Sequence, residues 1–242
     1  MDPDSMLQWL VRAANLNRLL QLLSQAVDYR FDEWDEDAIQ LGLETTGGAD
    51  GRWYDYELYG QETISLRLSR GAGDCVVVEA SAPAAVESAL SPIIETSDEE
   101  IVAQVYRAFA SAPRPEHPVR NPQHCPECEE HDALMRARRW DTLTHHDVRY
   151  TWSPVVFLSP AGFRYWLPAF VRLSLTPDEY DFLDQLLSFL SERDSERFQQ
   201  LNPEERAAIR RFLQHLAWWR PELVDERRMF AGVARSWAAG GE

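Results

Sequence analysis

The fold is decided by residues 53–80, whose sequence is WYDYELYGQETISLRLSRGAGDCVVVEA. Three segments within it, residues 53–59, 63–68 and 75–80, are rich in the β-branched and aromatic residues that favour strands. Residues 71–74, Gly-Ala-Gly-Asp, separate the last two segments and have the composition of a hairpin turn. The stretch therefore predicts an antiparallel meander.

The sequence on either side of the meander predicts one more strand and three helices. Apolar residues recur every three or four positions over residues 6–27, which predicts an opening helix. Apolar and polar residues alternate over residues 39–43, which predicts a strand. Two helices follow the meander, one over residues 83–90 and one after residues 97–100, whose sequence Ser-Asp-Glu-Glu is a capping box. The order indicates an α+β fold, an antiparallel sheet covered by helices.

A proline-rich segment divides the chain. Residues 113–123 are a predicted linker between an acidic α+β domain, residues 1–112, and a helical domain, residues 124–242. Ser159, Thr176 and Asn202 each precede a proline, as an N-cap residue does at a helix start. A last helix is expected over residues 221–237. The second part of the chain thus predicts an all-α bundle.

The composition excludes several classes of enzyme. The formal net charge is −16, from 40 acidic and 24 basic residues, and every basic residue is arginine. Without lysine, the chain lacks the Schiff-base lysine of pyridoxal-phosphate enzymes and the phosphate-binding lysines of P-loop ATPases and protein kinases.

Residues 1–113 hold 20 acids and only 7 arginines. We expect this excess to repel nucleic acid and to attract a basic protein.

The sequence also predicts a cytoplasmic protein. Its apolar stretches are far shorter than the ~20 residues that span a membrane. The first residues are acidic, whereas a signal peptide begins with positive charge. Three cysteines do not form the disulfide framework of a small secreted domain.

A Cys-x-x-Cys motif opens the predicted helical domain. Cys125 and Cys128 have the spacing at which two thiolates share one tetrahedral zinc ion, and Pro126 suits the first position of a helix that Cys125 would cap. His131 follows one turn later, and His145 is a candidate fourth ligand. The motif leaves three interpretations open: two ordinary reduced thiols at a helix start, a structural zinc site on these four residues, or a redox-active pair.

The sequence DEWDED over residues 32–37 is the candidate binding surface for a partner. Trp34 would anchor a basic protein, and carboxylates would pair with its charges around the rim. The alternative is a solvated loop whose Trp34 turns inward to cover the sheet. The full candidate set is Asp32, Glu33, Trp34, Asp35, Glu36 and Asp37.

Two parts of the chain resemble known families. The sequence HCPEC over residues 124–128, Trp140 and the sequence VFLSPAGFRYWLPAF over residues 156–170 resemble an uncharacterised bacterial helical family. That resemblance covers about half of the chain and implies no activity and no catalytic residue. The first half, through WYDYEL over residues 53–58 and its acid excess, is similar to bacterial toxin-immunity proteins. This second resemblance implies a protein that occludes a toxin, commonly a basic nuclease.

The sequence therefore favours a non-enzymatic bacterial protein of the immunity type that binds and neutralises a basic toxin. One alternative is a two-part adaptor in which the sheet and the bundle bind different proteins. The other is a zinc-dependent enzyme on Cys125, Cys128 and His131, with Glu127 or Glu130 as the general base. The oligomeric state is left open by the sequence.

Overall fold

The computed structural model describes residues 7–46, 53–70, 75–82, 95–149, 153–176, 182–191, 196–220, 223–224 and 229–238. The chain forms two compact units, residues 1–96 and residues 97–242. The first contains an antiparallel sheet and the second is helical, which confirms the predicted α+β class. None of the helices in these described stretches has the length and apolar character that crossing a bilayer requires.

The first unit is built on a four-stranded antiparallel sheet. Its strands are β1 (Leu7–Arg12), β2 (Tyr54–Tyr59), β3 (Thr63–Arg70) and β4 (Cys75–Ser81), in the order β1-β4-β3-β2. The predicted meander is confirmed as β2, β3 and β4. Strand β1 pairs with β4 from Leu7 opposite Ala80 to Arg12 opposite Cys75.

One face of this sheet is apolar and the other is polar. Leu58, Ile64, Leu66 and Val78 are almost fully buried on the first face. Side chains one position along β2 and β3 point the other way and are largely exposed, whereas those of β4 are half-buried. On that polar face Arg67 pairs with Asp55 at 3.3 Å. The sheet therefore has one face in a core and one in water, a common arrangement for antiparallel sheets.

Two helices supply the other half of this core. Helix α1 (Leu16–Ala26) follows a single 3₁₀ turn, and α2 (Glu33–Thr46) packs against β2 and β3. Leu19, Leu20 and Leu23 of α1 are fully buried. Ile39 and Leu43 of α2 lie one turn apart on its buried face.

Two local predictions in this unit are wrong. Residues 6–27 are not one helix, because β1 occupies Leu7–Arg12 before α1 begins at Leu16. Residues 39–43 are not a strand, since they lie within α2, and Leu41, which a strand would bury beside Ile39, is 61 % exposed. The helix predicted over residues 83–90 lies outside the described residues.

The second unit is an assembly of helices. Its described α-helices are α3 (Asp98–Ala108), α4 (Pro126–Ala137), α5 (His145–Val148), α6 (Pro154–Phe157), α7 (Pro160–Leu175), α8 (Phe182–Ser191), α9 (Glu196–Gln199), α10 (Pro203–Trp219) and α11 (Phe230–Ala238). Helix α7 lies at the centre, with Phe163, Trp166 and Phe170 completely buried. It contacts α3, α8 and α9, so one apolar helix organises the unit.

Predicted caps begin several of these helices. Ser97, Ser159 and Asn202 accept hydrogen bonds from the backbone at the starts of α3, α7 and α10, as the sequence predicts. The start predicted after Thr176 and the first part of the helix predicted over residues 221–237 include residues outside the described parts. Helix α11 accounts for the remainder of that last helix.

Glu205, in the first turn of α10, joins that helix to α7. It is completely buried and accepts hydrogen bonds from Arg164 Nε at 3.0 Å and Arg164 Nη2 at 2.8 Å. Its second oxygen accepts from the backbone N–H of Asn202 at 2.9 Å. The same carboxylate thus completes a capping box and an ion pair between two helices.

The division between the units lies earlier than the sequence suggested. It falls between Thr96 and Ser97, whereas the prediction placed it at residue 112. Helix α3 belongs to the second unit because its apolar face packs against α7 and α10. Residues 113–123, the predicted linker, also lie within this unit, where the backbone N–H of Ser159 donates to Pro118 O at 2.8 Å.

Asp98, at the start of α3, contacts a histidine and an arginine at the end of α10. His215 Nε2 lies 2.7 Å from Asp98 Oδ1, and Arg220 pairs with the other carboxylate oxygen. Burial alone would raise the pKa of Asp98, but the hydrogen bonds from His215 and Arg220 outweigh it and lower that pKa. The folded protein therefore prefers the ionised carboxylate.

We predict that Asp98→Asn destabilises the second unit by about 1–3 kcal/mol at neutral pH, because it removes a charged acceptor from two donors. Since the folded pKa is lowered, the contribution of Asp98 is present above the ordinary aspartate value of about 4 and is lost as the pH falls through the lower folded value. Urea unfolding followed by far-UV circular dichroism at a series of pH values measures this. A stability gap between wild type and variant that persists under strongly acidic conditions would contradict it.

Two helical glycines give a matched test of packing. A Cβ on Gly162 in α7 would overlap the backbone carbonyl of Pro118, whereas a Cβ on Gly232 in α11 would meet no atom within 4 Å. We predict that Gly162→Ala destabilises the protein by about 1–3 kcal/mol through overpacking. Gly232→Ala should stabilise it by up to about 1 kcal/mol through helix propensity. Thermal and urea unfolding of the two variants measure both effects, and equal shifts would disprove the close approach at Pro118.

Candidate functional site

The first unit has an open cavity with acidic and phenolic walls. Its volume is about 650 Å³. It lies where the start of α2 meets the edge strand β2, which contributes alternating acids and tyrosines. The described lining residues are Tyr29, Asp32, Asp35, Asp55, Tyr56, Glu57 and Tyr59, and none of these is basic. Such a cavity suits a cation with a flat or aliphatic part.

Asp35 organises the floor of this cavity. It is 3 % exposed, and Tyr29 Oη donates to Asp35 Oδ1 at 2.9 Å. Tyr56 Oη donates to the same oxygen at 2.5 Å, and the backbone N–H of Asp32 donates to Asp35 Oδ2 at 2.9 Å. The buried carboxylate therefore fixes two phenol rings in the cavity wall.

These contacts shift the pKa values of the groups involved. Burial would raise the pKa of Asp35, but the hydrogen bonds from Tyr56, Asp32 and Tyr29 outweigh it, and the pKa is lowered. The hydrogen bond to Asp35 raises the pKa of Tyr29, with burial adding to it. Burial raises the pKa of Tyr56 and the bond to Asp35 raises it further. These shifts favour the ionised form of Asp35 and the neutral forms of Tyr29 and Tyr56.

The structure changes the roles of the residues predicted to bind a partner. Asp35 is a buried anchor for Tyr29 and Tyr56 and not a rim acid, because a carboxylate at that depth has to be hydrogen-bonded. Asp32 and Asp37 are exposed and Glu36 is half-buried, and of these only Asp32 lines the cavity. Glu33 and Trp34 belong to the first turn of α2, and their side chains are outside the described parts of the structure.

Several residues of the cavity were missed by sequence reasoning. Asp55, Glu57 and Tyr59 lie on one side of β2 and contribute to the wall together with Tyr29 and Tyr56. Their pattern, acids and tyrosines alternating in one strand beside an acidic segment, was visible in the sequence. Its meaning required knowing that β2 is an edge strand and that residues 33–46 are helical.

A second cluster of reactive side chains lies at the start of α4. Cys125 is the N-cap residue, and its Sγ accepts from the backbone N–H of Cys128 at 3.3 Å. The two sulfurs are 2.9 Å apart. His124 Nδ1 is 4.0 Å from Cys128 Sγ, and the donor atoms of all three residues lie within 4.8 Å of one another. The cluster joins one imidazole and two thiols.

The two thiols of this cluster differ in acidity. The hydrogen bond with the Cys128 thiol lowers the pKa of Cys125, and the Cys128 backbone N–H and His124 add to that effect. The hydrogen bond to Cys125 raises the pKa of Cys128, with burial in the same direction. The first proton lost from the pair therefore leaves Cys125 as the thiolate.

The histidines predicted as zinc ligands lie elsewhere. The ring of His131 packs against Phe157 at 5.0 Å, and its Nε2 is 3.7 Å from Glu127 Oε1, too long for a hydrogen bond. His145 is buried, and its Nε2 donates to the carbonyl of Leu173 at 2.9 Å. Among the described residues, the group of three possible metal ligands consists of Cys125, Cys128 and His124, and it includes neither His131 nor His145.

A cavity of about 590 Å³ lies beside the cluster. His124 and Cys128 form part of its wall, and Val119 and Phe157 supply apolar surface. Arg120 also lines it and pairs with Glu196 at 3.2 Å. The cluster therefore lies at an accessible surface of the second unit.

The comparisons with known proteins identify one family. Residues 97–239 match the family described as "Family of unknown function (DUF6714)". This match includes all the described helices of the second unit and begins where that unit begins. No curated protein and no solved structure matches the chain.

We predict that Asp35→Asn lowers the pKa of Tyr29 towards the ordinary tyrosine value of about 10, because its main cause is the bond to Asp35. The pKa of Tyr56 should fall less, since burial remains as its largest cause. Alkaline titration of the tyrosine ring resonances by NMR measures both. Asp37→Asn, an exposed acid of the same helix, is the control, and equal tyrosine shifts in the two variants would contradict the assignment.

Proposed function

The chain belongs to the DUF6714 family of unknown function, and we propose that it is a non-enzymatic cytoplasmic protein that binds a basic protein partner through its first unit. The observation that carries this proposal is the cavity of about 650 Å³ with acidic and phenolic walls at the edge of the sheet. The family match covers the second unit, so the support comes from the cavity itself.

The chemistry of the cavity favours an arginine side chain. Its carboxylates offer acceptors for a planar guanidinium, which binds two oxygens at once. The rings of Tyr29, Tyr56 and Tyr59 offer faces for stacking. Tyr59 is 66 % exposed and is thus a large aromatic contact at the entrance.

Hydrogen bonds preorganise part of the cavity wall. Asp35 holds two of its three tyrosine rings in place before a partner arrives, so less side-chain entropy is lost on binding. Asp55, on the polar face, forms an exposed ion pair with Arg67 of the neighbouring strand β3. Preorganised acceptors of this kind favour specific binding over a diffuse attraction.

The charge around the cavity favours rapid association. Residues 1–96 contain 17 acids and 6 arginines, whereas residues 97–242 contain 23 acids and 18 arginines. A basic protein is therefore drawn towards the first unit at low ionic strength. This asymmetry and the cavity support an immunity-type role, in which the chain covers and neutralises a basic toxin.

The direct test is binding of an arginine-rich peptide, measured by calorimetry, to wild type and to a variant with the rim acids neutralised. That variant carries Asp32→Asn, Asp55→Asn and Glu57→Gln and keeps Asp35. We expect its affinity for the peptide to fall by about tenfold or more at low salt. A peptide with citrulline in place of arginine has the same shape without the charge and should not bind.

The matched control changes three exposed acids that do not line the cavity: Asp37→Asn, Glu44→Gln and Glu62→Gln. It has the same net charge as the rim variant, so it separates the cavity from the overall field. Equal loss of affinity in the two triple variants would contradict a specific site. Equal affinity of wild type for the arginine and citrulline peptides would contradict charge recognition.

The immunity role has its own test. Proteins retained by wild type but not by the rim variant are recovered from the native host and expressed alone. A basic protein that arrests growth, and that is neutralised by co-expression of wild type but not of the rim variant, is the expected result. Neutralisation by the rim variant as efficiently as by wild type would overturn the proposed surface.

A further inference from the structure

The cluster of His124, Cys125 and Cys128 has the donor set of a metal site. Two thiolates and one imidazole are borderline-soft ligands that favour zinc over magnesium or calcium. The ligand atoms lie within 4.8 Å of one another on a single turn of chain. Among the described residues of the chain, no other group of three His, Cys, Asp or Glu side chains meets this condition.

We propose that His124 Nδ1, Cys125 Sγ and Cys128 Sγ bind one zinc ion, with a fourth position open to an exchangeable ligand from the neighbouring cavity. This ligand set differs from the one that the Cys-x-x-Cys spacing suggests, in which the histidine follows the cysteines. It is also independent of the interaction proposed for the first unit.

The distances are close to those that zinc requires. Zinc bonds of about 2.3 Å to sulfur and about 2.0 Å to nitrogen at tetrahedral angles separate two sulfurs by about 3.8 Å and a sulfur from a nitrogen by about 3.5 Å. The sulfurs here are 2.9 Å apart and His124 Nδ1 is 4.0 Å from Cys128 Sγ. Shifts of less than about 1 Å therefore bring these two pairs of donors to tetrahedral spacing, and the remaining pair lies within 4.8 Å.

The backbone already holds the donors on one side of the helix start. Cys125 is extended, with φ −158° and ψ 163°, and Pro126 occupies the first helical position. This geometry turns the Cys125 side chain back over the first turn, where it meets Cys128. His124 closes the preceding turn through its N–H, which donates to Asn121 O at 3.1 Å.

The cavity of about 590 Å³ gives the site its open position. His124 and Cys128 are both in its wall, so a zinc ion between them faces that space. Three protein ligands and an accessible fourth position are the pattern of zinc sites that exchange water for another ligand. Arg120, Arg197 and Glu196 lie on the same wall and together carry one net positive charge, which favours a small anion as the exchangeable ligand.

The test uses the reduced full-length protein, loaded with zinc or with cobalt and freed of excess metal. We expect one equivalent of zinc by mass spectrometry of the metal content. The cobalt form should show sulfur-to-cobalt charge-transfer bands and the intense visible bands of four-coordinate cobalt. Added thiocyanate should shift the visible bands, because it enters the open position.

The decisive variants are Cys125→Ser, which keeps an N-cap acceptor, and His124→Gln. Each should weaken zinc binding at least roughly tenfold in competition with a chelator, since each removes one of three ligands. Cys75→Ser and His131→Gln are the matched controls, one for a thiol in the first unit and one for the neighbouring histidine, and both should bind as wild type.

Four outcomes would overturn the proposal or part of it. Reduced wild type without stoichiometric zinc, or recovery of Cys125 and Cys128 as a disulfide in the presence of zinc, excludes the site. Loss of binding in His131→Gln but not in His124→Gln replaces the proposed ligand. A cobalt spectrum that thiocyanate leaves unchanged removes the open position.

Discussion

A carboxylate that leaves water has to receive hydrogen bonds, and both units are organised around acids that meet this requirement. Asp35 receives them from two tyrosines, Asp132 from His117 and from the backbone of Val119, and Glu205 from Arg164. Each joins segments that are distant in sequence. Removing the donors would leave a buried, uncompensated charge. The resulting loss of stability is far larger than the net stabilisation that the intact pair provides.

These buried acids also position both candidate sites. Asp132, in α4, receives the N–H of Val119 at 3.2 Å and so holds residues 117–119 against the helix that begins at the cysteines. Val119 in turn forms part of the cavity wall beside His124. In the first unit Asp35 does the same for two tyrosines. The acids of this chain thus serve two purposes, since some hold the framework and others remain on the surface.

The sequence predicted the larger architecture because strong local patterns carry it. The alternation in β2 to β4 and the capped starts of α3, α7 and α10 were each visible without tertiary information. Residues 7–12 were misassigned because their apolar spacing also fits a helix. Pairing with β4, a contact that no local pattern reveals, decides in favour of a strand.

The sites were predictable to a smaller extent. The sequence predicted the thiol pair and the capping role of Cys125, because Pro126 directly after Cys125 indicates where the helix begins. His124 was missed because zinc motifs with a Cys-x-x-Cys pair usually place their histidines downstream of the cysteines, whereas here the preceding residue lies beside Cys128. Asp35 was taken for a surface acid because charge runs are usually exposed. Only the positions of Tyr29 and Tyr56 reveal it as a buried anchor.

The strand order has a consequence for how the protein is made. Strand β1 comes first along the chain, but its partner β4 comes last of the four, with Leu7 opposite Ala80. At a synthesis rate of roughly 5–20 residues per second, β1 waits about 4–15 seconds for the strand that completes its hydrogen bonds. During that time Trp9 and Val11, which the finished sheet buries, are exposed on the nascent chain. The first unit therefore closes only after its last strand has left the ribosome, and chaperones have a defined apolar segment to protect until then.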